Sequence, residues 1–173
     1  MPSVPDAVAA ELQRQLNHEL SAAHAYDAIA LWCEDRHFNG FARYFYTQAA
    51  EERGHARKFM DHLLDRSVLP ELKQVPAPRG EFPSLMEIAR TALSMEQANT
   101  AGINAAYEAA LSNKDYPAQV LLQWFINEQV EEEAWATEMI ERIARADCAG
   151  GLAELDRHIE RYLGETVAPS EAG

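Results

Sequence analysis

Four stretches of the chain carry apolar residues at alternating three- and four-residue steps, the spacing of a seam along a helix packed lengthwise against its neighbours. No convincing period-two segment competes with them. The first seam runs Leu12, Leu16, Glu19, Ala23, Tyr26, Ala30 and Cys33, and the second Phe38, Phe41, Phe45, Gln48, Glu52, His55 and Phe59. The third runs Leu85, Ala89, Ala92, Glu96, Asn99, Ile103, Ala106 and Ala110, and the fourth Ala118, Leu122, Phe125, Gln129, Glu132, Ala136, Met139 and Ile143. The pattern predicts helices over about 6–36, 38–66, 84–112 and 116–146, then a short fifth over about 152–163 and a loose tail over 164–173.

The prolines agree with this division. All eight fall near the ends or in a few clusters, at Pro2, Pro5, Pro70, Pro76, Pro78, Pro83, Pro117 and Pro169, which leaves the long stretches free to be helical. His37, Asn39 and Gly40 suit a tight turn between the first two helices, and Asn113, Lys114 and Asp115 suit another between the third and fourth. Gly150 and Gly151 read as a stop before the fifth. The segment from Ser67 to Pro83 is too long and too proline-rich for a tight turn, and reads as a strap running the length of the bundle to join two parallel helices. The expectation is a single all-α domain over 1–173: a four-helix bundle with one long crossover and a short fifth helix at the C-terminal end.

Length and composition fit that reading, since 173 residues with 47% hydrophobic content suffice for one core. The formal charge of -13 disfavours nucleic acid and anionic membrane as partners. It does not by itself indicate metal binding, because acidic surfaces commonly serve solubility. No basic region followed by an apolar run opens the chain, no stretch has the length of a membrane span, and Cys33 and Cys148 are too few for a disulfide framework. A cytoplasmic protein is expected.

The chemistry lies where the seams are interrupted. Glu19, Glu52, Glu96 and Glu132 each occupy a position that should face the core, and His55 follows Glu52 on the same helical face. Glu96 and Glu132 stand equally far in sequence from Lys114, and Glu19 and Glu52 nearly evenly about the first turn, so a rise of ~1.5 Å per residue brings all four to one level. Four buried carboxylates repel one another and need a positive charge between them. Carboxylate oxygens with one imidazole suit iron or manganese, and two metals sharing a bridging carboxylate balance the charge better than one. Taken singly, each residue has a plainer reading: Glu on a helix reaches solvent, a core histidine is hydrogen-bonded, and a buried tyrosine packs. Four interruptions at one depth favour the metal.

The chain also resembles the non-haem ferritins, bacterial ones most of all, from Leu12 to about Leu163. The likeness is carried by Asn17-His18-Glu19-Leu20, Tyr26, Trp32-Cys33, Glu51-Glu52-Arg53-Gly54-His55, Glu96-Gln97, Asp115-Tyr116-Pro117 and the run from Leu122 to Glu133. The resemblance implies a ferritin-like fold and a ferroxidase centre. In it Glu19, Glu52 and His55 hold a first iron while Glu52, bridging, holds a second with Glu96 and Glu132. It places Gln129 beside the centre, has Tyr26 hydrogen-bond within it or donate an electron to it, and matches Glu51, Glu128 and Glu131 to a third iron site. It implies Fe(II) and O2 or peroxide as reactants and a hollow homo-oligomer of twenty-four subunits. Bacterioferritins and many di-iron oxidases carry a second E-x-x-H on the fourth helix, where this chain has Gln129 and Glu132. Arg53 stands where a bacterioferritin has its haem-ligating Met, so haem is not expected. Animal ferritins line an iron channel with carboxylates at positions matching Gln119 and Leu122, so that route does not carry over. Two other functions stay open at this point: a di-iron or di-manganese oxidase or peroxidase without storage, and a metal-free helical association module.

Overall fold

The computed structural model describes residues 3–146 and 148–164; of the tail expected over 164–173, Gly164 is helical and the remainder lies outside the described residues. Five helices follow in order: α1 (Asp6–Asp35), α2 (Asn39–Asp65), α3 (Leu85–Ser112), α4 (Tyr116–Arg145) and α5 (Ala149–Gly164). Helices α1 and α2 form one hairpin, α3 and α4 a second, and α1 also packs on α3. Every seam position named above is buried except Phe38, which is half-buried. The three- and four-residue spacing therefore did place one continuous stripe of each helix in the core.

Three helix ends close alike. His37, Ser67 and Lys114 take positive φ, and the next residue's N–H reaches back five residues to a carbonyl, Phe38 to Cys33, Val68 to Leu63 and Asp115 to Ala110. This is the left-handed closure usually made by glycine, here made by polar residues. Asn39 and Gly40, expected in the first turn, already belong to α2. Gly40 is needed for another reason: a Cβ there would sit 1.7 Å from the Asp156 backbone oxygen of α5. The Asp156 carboxylate in turn accepts from the Phe41 N–H at 3.0 Å, capping an α2 start that has no local side-chain cap.

Gly150 and Gly151 do not stop a helix before α5; both lie in its first turn. The break comes earlier, at Ala146, and α5 then lays Leu155, Ile159 and Leu163 into the core at one end of the bundle.

At the other end, Asp115 caps α4 by accepting from Ala118 N at 3.3 Å and accepts on both carboxylate oxygens from Arg66, the residue that ends α2, at 2.7 and 2.8 Å. This buried pair joins the two hairpins. Residues 68–83 form no helix or strand. The strap is held along α1 by two amides one turn apart. Gln13 donates to Leu69 O and accepts from Glu71 N, and Asn17 donates to Glu71 O and accepts from Lys73 N. Two residues of extended chain span roughly 6–7 Å and four of helix about 6 Å, so one amide per turn can serve alternate strap residues.

The core is not continuous. One apolar cluster gathers Phe41, Phe45, Ile88, Trp135 and the α5 residues; another gathers Leu12, Leu16, Phe59, Ile103, Leu122 and Phe125. Between them lies a polar layer.

Candidate metal centre

Each long helix delivers one carboxylate to that layer: Glu19 from α1, Glu52 from α2, Glu96 from α3 and Glu132 from α4, none more than 4% exposed. His55, buried one turn past Glu52, turns its Nδ1 to Glu52 Oε2 at 3.0 Å. Ligand atoms of Glu19, Glu52 and His55 lie within 4.8 Å of one another, and those of His55, Glu128 and Glu132 do likewise, so two donor groups meet at His55. Glu96 belongs to neither group. One of its carboxylate oxygens accepts from the Tyr26 hydroxyl and the other from Gln129 Nε2 at 3.3 Å.

Neutral side chains hold the carboxylates in place. Gln15 Nε2 donates to one oxygen of Glu19 at 3.0 Å, and Asn99 Nδ2 donates to the other at 3.2 Å. Gln15 also donates to Asn99 Oδ1, Asn99 donates to Gln129 Oε1 at 3.2 Å, and Trp135 Nε1 donates to Glu132. Among the described residues no Lys or Arg pairs with any of the four acids.

Burial is the main cause that pushes Glu19, Glu52, Glu96 and Glu132 above the ordinary carboxylate range, and repulsion from neighbouring carboxylates, Glu133 in the case of Glu96, adds to it. Glu19 and Glu52 lie close, with ligand atoms within 4.8 Å of each other, and the charge of Glu52 adds to the rise of Glu19. Burial, and then the charges of Glu96 and Glu52, also raise Tyr26, which keeps its hydroxyl a donor. For His55 burial is the largest influence and lowers the pKa, but the neighbouring Glu128 carboxylate and the charges of Glu19 and Glu132 together raise it. An oxygen-rich donor set with one imidazole and no counter-cation suits a hard divalent ion, and binding displaces the protons. Gln48, on the same face of α2 and buried, keeps its Oε1 without a partner.

The residues matched to a third iron site are spread out. Glu128 Oε1 lies 3.8 Å from His55 Nε2, at the edge of the centre. Glu51 is exposed and accepts from Gln48 Nε2, and Glu131 is exposed and in neither donor group. Arg53 pairs with Asp27 of α1.

Sequence reasoning named Tyr26 and Gln129 beside the acids but gave no such role to Gln15, Asn99 or Trp135. Gln15 precedes Glu19 by one turn and Trp135 follows Glu132 by one, so helical i, i+3 and i, i+4 neighbours of each acid were the available signal. Thr100 was off every traced seam, yet accepts from Gln129 Nε2 at 3.3 Å.

Residues 9–146 match the family model described as Ferritin-like domain. The bacterial non-heme ferritin of Staphylococcus haemolyticus (strain JCSC1435) is 44% identical over 123 residues, 71% of this chain and 74% of its own. That of Staphylococcus aureus (strain MRSA252) is 43% identical over the same shares. Among solved structures, an open pore ferritin from the archaeon Archaeoglobus fulgidus superposes with a TM-score of 0.88 at 29% identity, covering 91% of this chain and 98% of that one. A closed form engineered from the Archaeoglobus ferritin gives a TM-score of 0.88 at 30% identity, covering 91% and 96%.

Proposed function

Because the chain belongs to the ferritin family and is an iron-storage ferritin, we propose that it takes up Fe(II) as substrate at the polar layer and oxidises it there with O2, or with peroxide, before storage as Fe(III) mineral. The observation that carries this reading is the layer itself: four buried carboxylates and one imidazole with, among the described residues, no Lys or Arg to neutralise them. Glu19, Glu52 and His55 hold the first Fe(II), and Glu52 bridges to a second held with Glu96 and Glu132. The pair of ions supplies the two electrons that the oxidant takes.

The protein's own contribution is position and charge. Gln15 and Asn99 fix Glu19 through both oxygens, so that its position does not depend on the metal. Trp135 leaves Glu132 one oxygen for an ion, and Tyr26 and Gln129 orient Glu96. Tyr26 also stands as an electron donor within reach of the pair. Gln129 lies beside the ions as a hydrogen-bond bridge, and Glu51, Glu128 and Glu131 take a third iron. The subunits close into a shell of twenty-four in the cytoplasm, without haem; among the described residues no helix is long and apolar enough to cross a membrane.

Purified iron-free protein and Glu52→Ala, given Fe(II) in air and then passed over a sizing column with iron detection, test this reading. The expected outcome is rapid oxidation by the parent with iron eluting in a large assembly, and a loss of at least about 100-fold in the variant, which removes the ligand common to both ions. Equal, slow oxidation by both proteins would remove the assigned centre. Oxidation without retained iron would point instead to an oxidase or peroxidase.

A further inference from the structure

The centre lies between two apolar clusters, which favours entry of the ions from the side. One of the described cavities is lined by a residue that touches a proposed ligand directly. It has a volume of about 370 Å³, lies between α3 and α4, and is lined by Thr100, Ile103, Asn104, Ile126, Gln129, Val130 and Glu133. Its polar wall is one continuous chain. Thr100 Oγ1 donates to Glu133 Oε1 at 2.5 Å and accepts from Gln129 Nε2, and Gln129 Nε2 reaches Glu96 Oε2.

Glu133 and Val130 also line a second groove, of about 540 Å³, that continues along α4 past Glu138 and Glu141. Those two acids are paired with Arg142 and Arg145. Glu133 is the carboxylate of that wall with no basic partner among the described residues. A half-buried carboxylate without a basic partner and then a hydroxyl oxygen are hard donors in the order a divalent cation would meet them on the way inward, and the Gln129 amide stands between them and Glu96 with its oxygen turned to Asn99.

We propose that the α3–α4 groove is the entrance for Fe(II), with Glu133 and Thr100 as the first ligands and Gln129 as the gate to Glu96. This rests on the ferroxidase reading above. Gln129 suits a gate because its amide is neutral: it exchanges Thr100 and Asn99 for a passing ion without leaving a buried charge behind.

The test separates arrival from reaction in the assembled protein. Fe(II) is mixed anaerobically with parent, Glu133→Gln, Val130→Trp and Glu108→Gln, the last removing the same charge from an exposed site on α3 outside the groove. Uptake is followed in time; each protein, once filled to equilibrium, is then mixed with oxygenated buffer. The proposal expects uptake to slow on the order of tenfold in Glu133→Gln and Val130→Trp, parental uptake in Glu108→Gln, and a parental rate of oxidation in all three once filled. Parental uptake by both groove variants, or equal slowing by Glu108→Gln, overturns the entrance while a parent that still binds two Fe(II) per subunit, and a Glu52→Ala that does not, keep the centre. A parent that binds no Fe(II) overturns both.

Discussion

Leu16 and Glu19 are one step apart on the same buried stripe of α1 and are both fully shielded from water. Leu16 lies in an apolar cluster with Phe59 and Leu122, whereas Glu19 meets Glu52, Gln15 and Asn99. The two regions use the same helices and the same packing period, but burial acts in opposite senses in them. In the apolar clusters, burial is the source of stability, at roughly 25 cal/mol per Å² removed from water. In the polar layer, burial leaves four acids short of solvent and of counter-charge, which costs stability until a cation arrives. The bundle thus stores at its middle a demand for metal that its ends have the stability to support.

Truncation of an apolar end gives the largest effect expected on stability. Phe41 is fully buried in the cluster covered by α5 and stacks edge-on against Phe38. Phe41→Ala should lower stability by about 3–5 kcal/mol in urea unfolding and leave the Fe(II) bound per folded subunit unchanged. A loss of iron equal to that of Glu52→Ala would mean that the end and the middle are one unit, and the comparison would break.

Removal of charge from the middle should have the opposite sign. Glu52→Gln keeps the shape of the side chain and lifts one charge from the layer. The iron-free variant should be more stable than the iron-free parent near pH 8, on the order of 2 kcal/mol, while binding little Fe(II). The pH dependence follows from the raised values. A buried acid whose folded pKa lies above its unfolded value of ~4.3 imposes no penalty at lower pH, and a growing one as pH rises through the folded value. Glu19, Glu52, Glu96 and Glu132 are all raised, so the iron-free parent should lose stability as pH climbs from about 4.3 toward 8, and Glu52→Gln should lose less. A melting temperature that rises over that range in the parent, or a variant that melts lower, would contradict the account.

The same contrast explains what the sequence disclosed. The apolar stripes were legible because packing between long helices imposes one spacing, and the acids were legible because they broke it at matching depths. The holders were hidden because their role depends on which neighbour lies across the bundle: Asn99 sits on its seam like any small polar residue, and only the meeting of α1 with α3 shows that it faces Glu19. Gly40 looked like a turn residue, and its need arises from α5, more than a hundred residues later. Gly150 and Gly151 looked like a stop, but the helix they open is fixed by Leu155, Ile159 and Leu163 settling on the core, an interaction that outweighs the local cost of glycine, about 1 kcal/mol each.

The smallest effect asks whether polarity at mid-height is unfavourable by itself or only when it faces inward. Asn17 lies two residues before Glu19 but on the outer side of α1, where its amide holds Glu71 and Lys73 of the strap at 2.9 and 2.8 Å. Its partners are backbone groups that match it donor for acceptor, and none carries a charge. Asn17→Ala should therefore destabilise the iron-free protein, by about 1 kcal/mol for hydrogen bonds exchanged with water, where Glu52→Gln stabilises it, and Fe(II) stoichiometry should stay parental. Thermal melts of the two variants beside the parent, with and without Fe(II), supply the comparison. If Asn17→Ala raised the melting temperature as Glu52→Gln is expected to, depth along the bundle and not the unneutralised charge inside it would be the source of the instability, and the demand for metal would lose its physical basis.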